Sequence, residues 1–166
     1  AKQEYENTKD PKLLKDISRV RSLLSTQHTA MLVHSVISSR LDYCNSVFFN
    51  MSKSNIMKLQ KVQNAAHVIA RKRKRESISE TLKELHWLKI ESRIIFKLLL
   101  LTLKYVNGKC PAHFDLQYKS YNCHPNDYLM LKTISCKKKH ARRTFSYSAP
   151  RLWNALPLYV RKEEDI

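Results

Sequence analysis

The sequence predicts a mainly α protein, a bundle of five or six helices with an irregular basic C-terminal extension. Three observations predict it. Apolar residues recur at i, i+3 and i+4 spacing over most of residues 11–106. Gly108 is the one glycine among 166 residues, where ordinary usage of about 7% gives about a dozen, which disfavours sheets built on tight primed turns. After Gly108 the periodicity fades into Pro111, Pro125, scattered aromatics and basic runs. Residues 11–106 are therefore expected to form the helical bundle and residues 107–166 the extension.

The elements follow in order. Over Pro11–Leu24, the residues Leu13, Leu14, Ile17, Val20, Leu23 and Leu24 share one helical face. Asp10 is placed to cap this helix and Pro11 suits its first turn. A second helix is expected from about Gln27 to Arg40, capped by Ser25 or Thr26, with Met31, Val33, His34, Val36 and Ile37 near its apolar side. Tyr43–Asn50 reads as a short helix or turn, with Tyr43 and Cys44 packed inward as a joint to the next helix. That third helix runs from Ser54 to about Arg73 on a stripe of Ile56, Leu59, Val62, Ala66 and Ile69. Lys58, Lys61 and Lys72 lie to one side of the stripe.

Ser77-Ile78-Ser79-Glu80 fits a capping box opening a short helix through Leu85. From about Ile90 to Val106 the chain is apolar nearly all round, which predicts a helix at the bundle's centre. Asn107-Gly108 supplies its left-handed stop. Beyond lie a short strand near Tyr128–Thr133 and a final helix, Arg151–Leu156, with Pro150 at its first position and Pro157 as its stop.

Composition removes several function classes. A chain with one glycine has no Gly-rich phosphate loop, so Walker A and dinucleotide fingerprints are excluded. The longest apolar stretch, Ile94–Leu103, is interrupted by Lys97 and falls short of the roughly 20 residues of a membrane helix. The N-terminal AKQEYENTK lacks the apolar region of a signal peptide. Four cysteines without close pairs point to reduced thiols in an intracellular protein, nuclear or cytoplasmic.

Charge is the strongest positive signal. Thirty-one Lys and Arg against 14 Asp and Glu leave a net charge of +17. Between Asp42 and Glu76 there are eight basic residues and no acid, and between Asp127 and Glu163 nine and none. Such blocks bind polyanions by releasing counterions, although they also simply keep a protein soluble. Arg71-Lys72-Arg73-Lys74-Arg75 could contact phosphates or serve as a nuclear import signal; its plainer reading is a solvated helix end that suits the dipole. Lys137-Lys138-Lys139-His140-Ala141-Arg142-Arg143 is followed by Phe145 and Tyr147. Cations interleaved with aromatics suit a backbone-tracking surface, and the spacing of two puts both aromatics on one face of a strand. A basic loop with two core aromatics is the alternative.

Cys110, Cys123, His124, Cys136 and His140 are candidate zinc ligands, but zinc sites show a tight C-x₂₋₄-C pair and the one short spacing here is Cys136-x₃-His140. No metal or other cofactor is expected. Cys44 has no base or orienting group beside it in sequence, so packing is the expected role. Trp87 and Trp153, beside leucine stripes, read as core.

Five motifs stand in fixed order: Ser39-Arg40-Leu41-Asp42-Tyr43-Cys44-Asn45-Ser46; Lys58-Leu59-Gln60-Lys61-Val62-Gln63-Asn64-Ala65-Ala66; Leu82-Lys83-Glu84-Leu85-His86-Trp87-Leu88; Arg93–Thr102; and Ser148-Ala149-Pro150-Arg151-Leu152-Trp153-Asn154-Ala155-Leu156-Pro157. Together they resemble the C-terminal, thumb and post-thumb part of LINE-type non-LTR retrotransposon reverse transcriptases, the jockey-like groups among them. The resemblance runs from about Leu13 to Val160. It departs at Leu88-Lys89, where the family has Leu-Pro, and over Cys110–Lys139.

The resemblance implies a segment that grips a template–primer backbone in company with the rest of the polymerase. Lys58, Lys61, Arg71, Lys72, Arg73, Lys74, Arg75, Lys137, Lys138, Lys139, Arg142 and Arg143 would make the phosphate contacts. The family's paired palm carboxylates have no counterpart, since the chain has no Asp-Asp pair. No enzymatic activity is expected of this chain alone. Ala1 is not an initiator Met, and relatives continue past Pro157 into one more helix, which implies a cut or decayed copy. The alternatives are a helical protein-interaction module adopted from a retroelement, or a decayed fragment with no selected role.

Overall fold

A computed structural model describes residues 10–71, 88–110, 116–119 and 129–162 of the chain. These residues are mainly helical, as the periodicity predicts, and hold no β-strand beyond one isolated bridge. The chain clusters into two compact units, Ala1–Tyr43 with Ser52–Ile90 and Cys44–Met51 with Glu91–Ile166. The Val106–Asn107 step falls inside the second unit. The expected capping-box helix at 77–85 and Trp87 lie outside the described residues.

In the first unit, α1 (Asp10–Val20) ends in a 3₁₀ turn, Arg21–Leu23. Leu14 and Ile17 are buried, but Leu23 is 83% exposed while Leu24 is half-buried; tightening to 3₁₀ takes Leu23 off the expected stripe. Helix α2 (Thr26–Val33) is capped by Ser25, whose Oγ accepts from the His28 amide at 3.1 Å. The Thr29 hydroxyl donates to the Ser25 carbonyl at 2.8 Å. The chain then passes through a π-helical stretch, His34–Ser38, into a last α turn, α3 (Ser39–Asp42). An α-helix drifts against a strict i, i+4 series; the wider π turn absorbs that drift. Val33, Ile37 and Leu41 therefore all reach the core, while Met31 and His34 face outward.

Helix α4 (Lys53–Arg71) packs on α1 and α2. Its buried positions are Leu59, Gln63, Ala66, His67 and Ala70, with Ile56, Val62 and Ile69 half-buried. Two glutamines continue the core with polar contacts. The Gln60 amide donates to Gln63 Oε1 at 2.9 Å and to Asn64 Oδ1 at 2.8 Å. Gln63 Nε2 donates to the Leu88 carbonyl at 2.9 Å, and the Ile90 amide donates to Gln60 Oε1 at 3.0 Å. One of the orphan amides at the start of the next helix is thus satisfied by a side chain from α4.

The joint Cys44–Phe49 is a turn, as expected, with a 3₁₀ segment Asn45–Phe48. The inward packing of Tyr43 and Cys44 is corrected. Tyr43 is 78% exposed and Cys44 is exposed, while Asn45 is the buried residue. Cys44 takes a left-handed φ of 51°, and this reversal carries its side chain and that of Tyr43 to the surface.

Helix α5 (Ile90–Val106) has the predicted bounds. Ile90, Ile94, Leu98 and Thr102 are its buried line, and Phe96 is 56% exposed, so it is not buried all round. From Glu91 onward it belongs to the second unit. Its end is the predicted one. Gly108, with φ 67°, lets its amide reach the Tyr105 carbonyl at 3.0 Å and the Lys109 amide reach the Lys104 carbonyl at 2.8 Å, the paired bonds of a Schellman stop.

The end of the second unit departs most from expectation. The helix expected over Arg151–Leu156 is α6, which spans Phe145–Asn154, and Pro150 lies inside it. Phe145, Ala149 and Trp153 form an i, i+4 series turned to the core around Leu116 and Leu131. Phe145 and Tyr147 are therefore helical residues rather than strand neighbours. A one-turn helix α7 (Leu158–Arg161) follows. The strand near 128–133 reduces to a single antiparallel bridge, Tyr118 with Leu131.

Side chains of α6 hold that bridge from its other side. Asn154 Nδ2 donates to the Leu131 carbonyl at 2.8 Å, and its Oδ1 accepts from the Leu131 amide at 2.9 Å. Trp153, 1% exposed, donates from Nε1 to the Leu129 carbonyl at 2.8 Å. Arg151 donates to the Ile134 and Tyr147 carbonyls at 2.9 and 3.2 Å while its guanidinium lies 3.8 Å over the Tyr147 ring. The expectation of Trp153 as a core residue holds.

Candidate nucleic-acid interface

The candidate cations fall in three groups. Lys58 and Lys61 are exposed, one turn apart on the outer side of α4. Helical spacing puts Met57, Ala65 and Val68, also exposed, on that same side. The buried line Leu59, Gln63, Ala66, Ala70 anchors the opposite side, so both ammonium groups point to solvent because the helix cannot rotate without exposing its core. Arg71 closes α4. Lys72, Arg73, Lys74 and Arg75 lie outside the described residues.

The third group is a turn in the second unit. Lys137, Lys138, Lys139, His140, Arg142 and Arg143 are all exposed. Its geometry is not the irregular loop expected. Ala141–Arg143 is a 3₁₀ turn, with the Arg143 amide on the His140 carbonyl at 3.1 Å. Arg142 Nε donates to the Cys136 carbonyl at 3.3 Å, folding the run back on itself. Asn50 Nδ2 donates to the Arg142 carbonyl at 3.3 Å from 92 positions away. Asn50 has a left-handed φ of 60°, a conformation Asn tolerates better than most residues. Sequence reasoning missed Asn50 and Cys136 as supports of the turn; the only local signal was an Asn within the turn-like Phe48-Phe49-Asn50-Met51 stretch.

Among the described residues, no acid is ion-paired with Lys58, Lys61, Lys137, Lys138, Lys139 or Arg143. Asp16 and Arg19, 3.4 Å apart, form an exposed helical contact on α1. Unneutralised, exposed ammonium and guanidinium groups can exchange counterions for phosphates at little desolvation cost.

The other candidates are not gathered into a site. Among the described residues no group of three or more His, Cys, Asp or Glu comes together. Cys110 Sγ faces the Leu101 carbonyl at 3.6 Å, Cys136 is half-buried and His140 exposed; Cys123 and His124 lie outside the described residues. No described helix is long and apolar enough to cross a membrane.

The motif residues that are described have mostly structural work. Gln60, Gln63 and Asn64 make the polar contacts of α4, and Arg151, Trp153 and Asn154 dock the bridge segment. No protein-family model, curated protein or solved structure matches the chain.

Proposed function

We propose that this chain grips the sugar–phosphate backbone of a template–primer duplex, as the thumb and post-thumb segment of a non-LTR retrotransposon reverse transcriptase. The observation that supports this best is the presentation of two exposed cation groups, on α4 and on the 137–143 turn, within stretches free of acid. Contacts of this kind position a duplex without reading its sequence. Polymer synthesis would belong to a palm domain with paired carboxylates, so this chain binds and does not catalyse.

The test is titration of an RNA–DNA hybrid at several salt concentrations. Log affinity should fall linearly with log salt, by about 0.9 for each phosphate contact. Changing Lys137, Lys138, Lys139, Arg142 and Arg143 together to Ala should flatten that slope. Absence of binding at low salt, or a slope indifferent to these residues, refutes the reading.

A second reading rests on Met57 and Val68, exposed beside Lys58 and Lys61. An apolar face edged with cations suits an acidic amphipathic helix of a protein partner. One saturable protein partner that survives nuclease treatment and is lost on Met57→Glu would favour it.

A further inference from the structure

We propose that Thr144 is a phosphorylation site that switches off the basic turn. The proposal rests on the nucleic-acid reading for its consequence, but not for the modification itself. Thr144 is exposed and follows Arg142-Arg143 directly, with Lys137, Lys138 and Lys139 five to seven positions before it. No acid stands between Asp127 and Glu163. A hydroxyl preceded by a dense cationic run is what a protein kinase with an acidic substrate groove selects, by the same complementarity that steers other charged partners.

Two neighbouring hydroxyls help to single out Thr144. Ser148 is buried and donates to the Thr144 carbonyl at 2.8 Å. Ser146 is half-buried in the wall of a cavity of about 390 Å³ beside Leu116 and Ile134. The Thr144 hydroxyl donates to the Ala141 carbonyl at 2.7 Å. Thr144 occupies the N-cap position of α6 in an extended conformation, φ −67° and ψ 150°, yet its side chain makes no capping bond. Its hydroxyl is therefore held by one exposed local hydrogen bond rather than built into the core.

The step balances with a nucleoside triphosphate as co-substrate. Thr144 Oγ1 attacks the γ-phosphorus, a new P–O bond forms, and the bond to the bridging β,γ-oxygen breaks. The hydroxyl proton passes to the kinase's carboxylate, and the diphosphate leaves. The product carries about −1.5 to −2 charge at neutral pH and three acceptor oxygens. It sits directly after Arg142 and Arg143 in the chain and at the positive end of α6. Those cations are then withdrawn from any external phosphate.

The experiment incubates the chain with ATP and a purified arginine-directed protein kinase, and locates the phosphate by mass spectrometry. Parallel reactions use Thr144→Ala and Ser146→Ala. Phosphate on residue 144 is expected in wild type and in Ser146→Ala, and none at that position in Thr144→Ala. No incorporation at Thr144 overturns the proposal. The phosphorylated chain is then titrated with the RNA–DNA hybrid. Its salt slope should drop by roughly one to two, with a loss of affinity on the order of tenfold at 0.1 M salt. A phosphorylated Thr144 that leaves slope and affinity unchanged overturns the switch. If even the unmodified chain does not bind the hybrid, the nucleic-acid reading fails, and the switch with it, while the site itself is still decided by the mass.

Discussion

The two units are held together in different ways. In the first, helices meet along stripes: Leu14 and Ile17 on α1, Val33 and Ile37 on and after α2, Leu59, Ala66 and Ala70 on α4. In the second, much of the order comes from side chains of α6 that bond to backbone: Trp153 to Leu129, Asn154 to Leu131, Arg151 to Ile134, with Tyr105 of α5 reaching the Leu116 carbonyl at 2.5 Å. Stripes tolerate exchange among apolar residues of like volume. A side chain that must also complete a backbone group does not, because its loss leaves a buried polar atom unsatisfied.

The largest effects should come from core truncation in either unit. Trp153→Ala is expected to cost about 3–5 kcal/mol and Ile37→Ala about 2–5 kcal/mol in chemical denaturation. Conservative exchanges separate the units. Ile37→Leu should cost less than about 1.5 kcal/mol. Trp153→Phe should cost more than that exchange, because it adds the loss of the Nε1 bond, about 1–3 kcal/mol, to the loss of packing. Equal losses for these two exchanges would erase the distinction.

Asn154→Asp is a finer probe. It keeps the shape of the side chain but turns an oxygen toward the Leu131 carbonyl where an amide now donates. A loss of about 1–3 kcal/mol is expected at neutral pH, readable as a lower denaturation midpoint. No change would mean that Asn154 packs rather than bonds. Gly108→Ala should cost about 1–2 kcal/mol. An added Cβ at Gly108 meets nothing within 4 Å, so the whole cost is the positive φ, and Gly108→Asn should recover part of it.

The smallest effect concerns pH. Burial, and then the neighbouring Tyr105, hold the Tyr118 hydroxyl above its ordinary value. The folded state therefore retains a proton that the unfolded state gives up. The associated stability is full below the unfolded value of about 10 and is lost as pH rises through the folded one. Alkaline melting curves of Tyr118→Phe should lack that part of the decline.

Legibility followed the same division. The bounds of α5, its Gly108 stop, a cap at Ser25 or Thr26 and most of α4 can be read directly, because each is a local pattern of a few residues. What could not be read was contact between distant backbone and side chain. Nothing near Arg142 announces Asn50, and nothing in the period of residues 129–134 announces the three α6 side chains that hold them. The start of α6 is hidden in the sequence because Pro150 suits the first-turn position that proline favours, while the alternation of Phe145 and Tyr147 imitates a strand. The cations of the candidate interface were legible as composition; the folded turn that presents five of them was not.

Asn154 has a last consequence. Residues 130–132 have two lateral sides. One is occupied by the 117–119 segment, through Lys119 to Met130 at 2.9 Å and Lys132 to Gln117 at 2.7 Å. On the other side both polar groups of Leu131 are bound by a single carboxamide. A lone extended segment with an open flank is a template on which a second chain can add and aggregates can grow. Here one side chain does the work of a covering strand and closes that flank at Leu131.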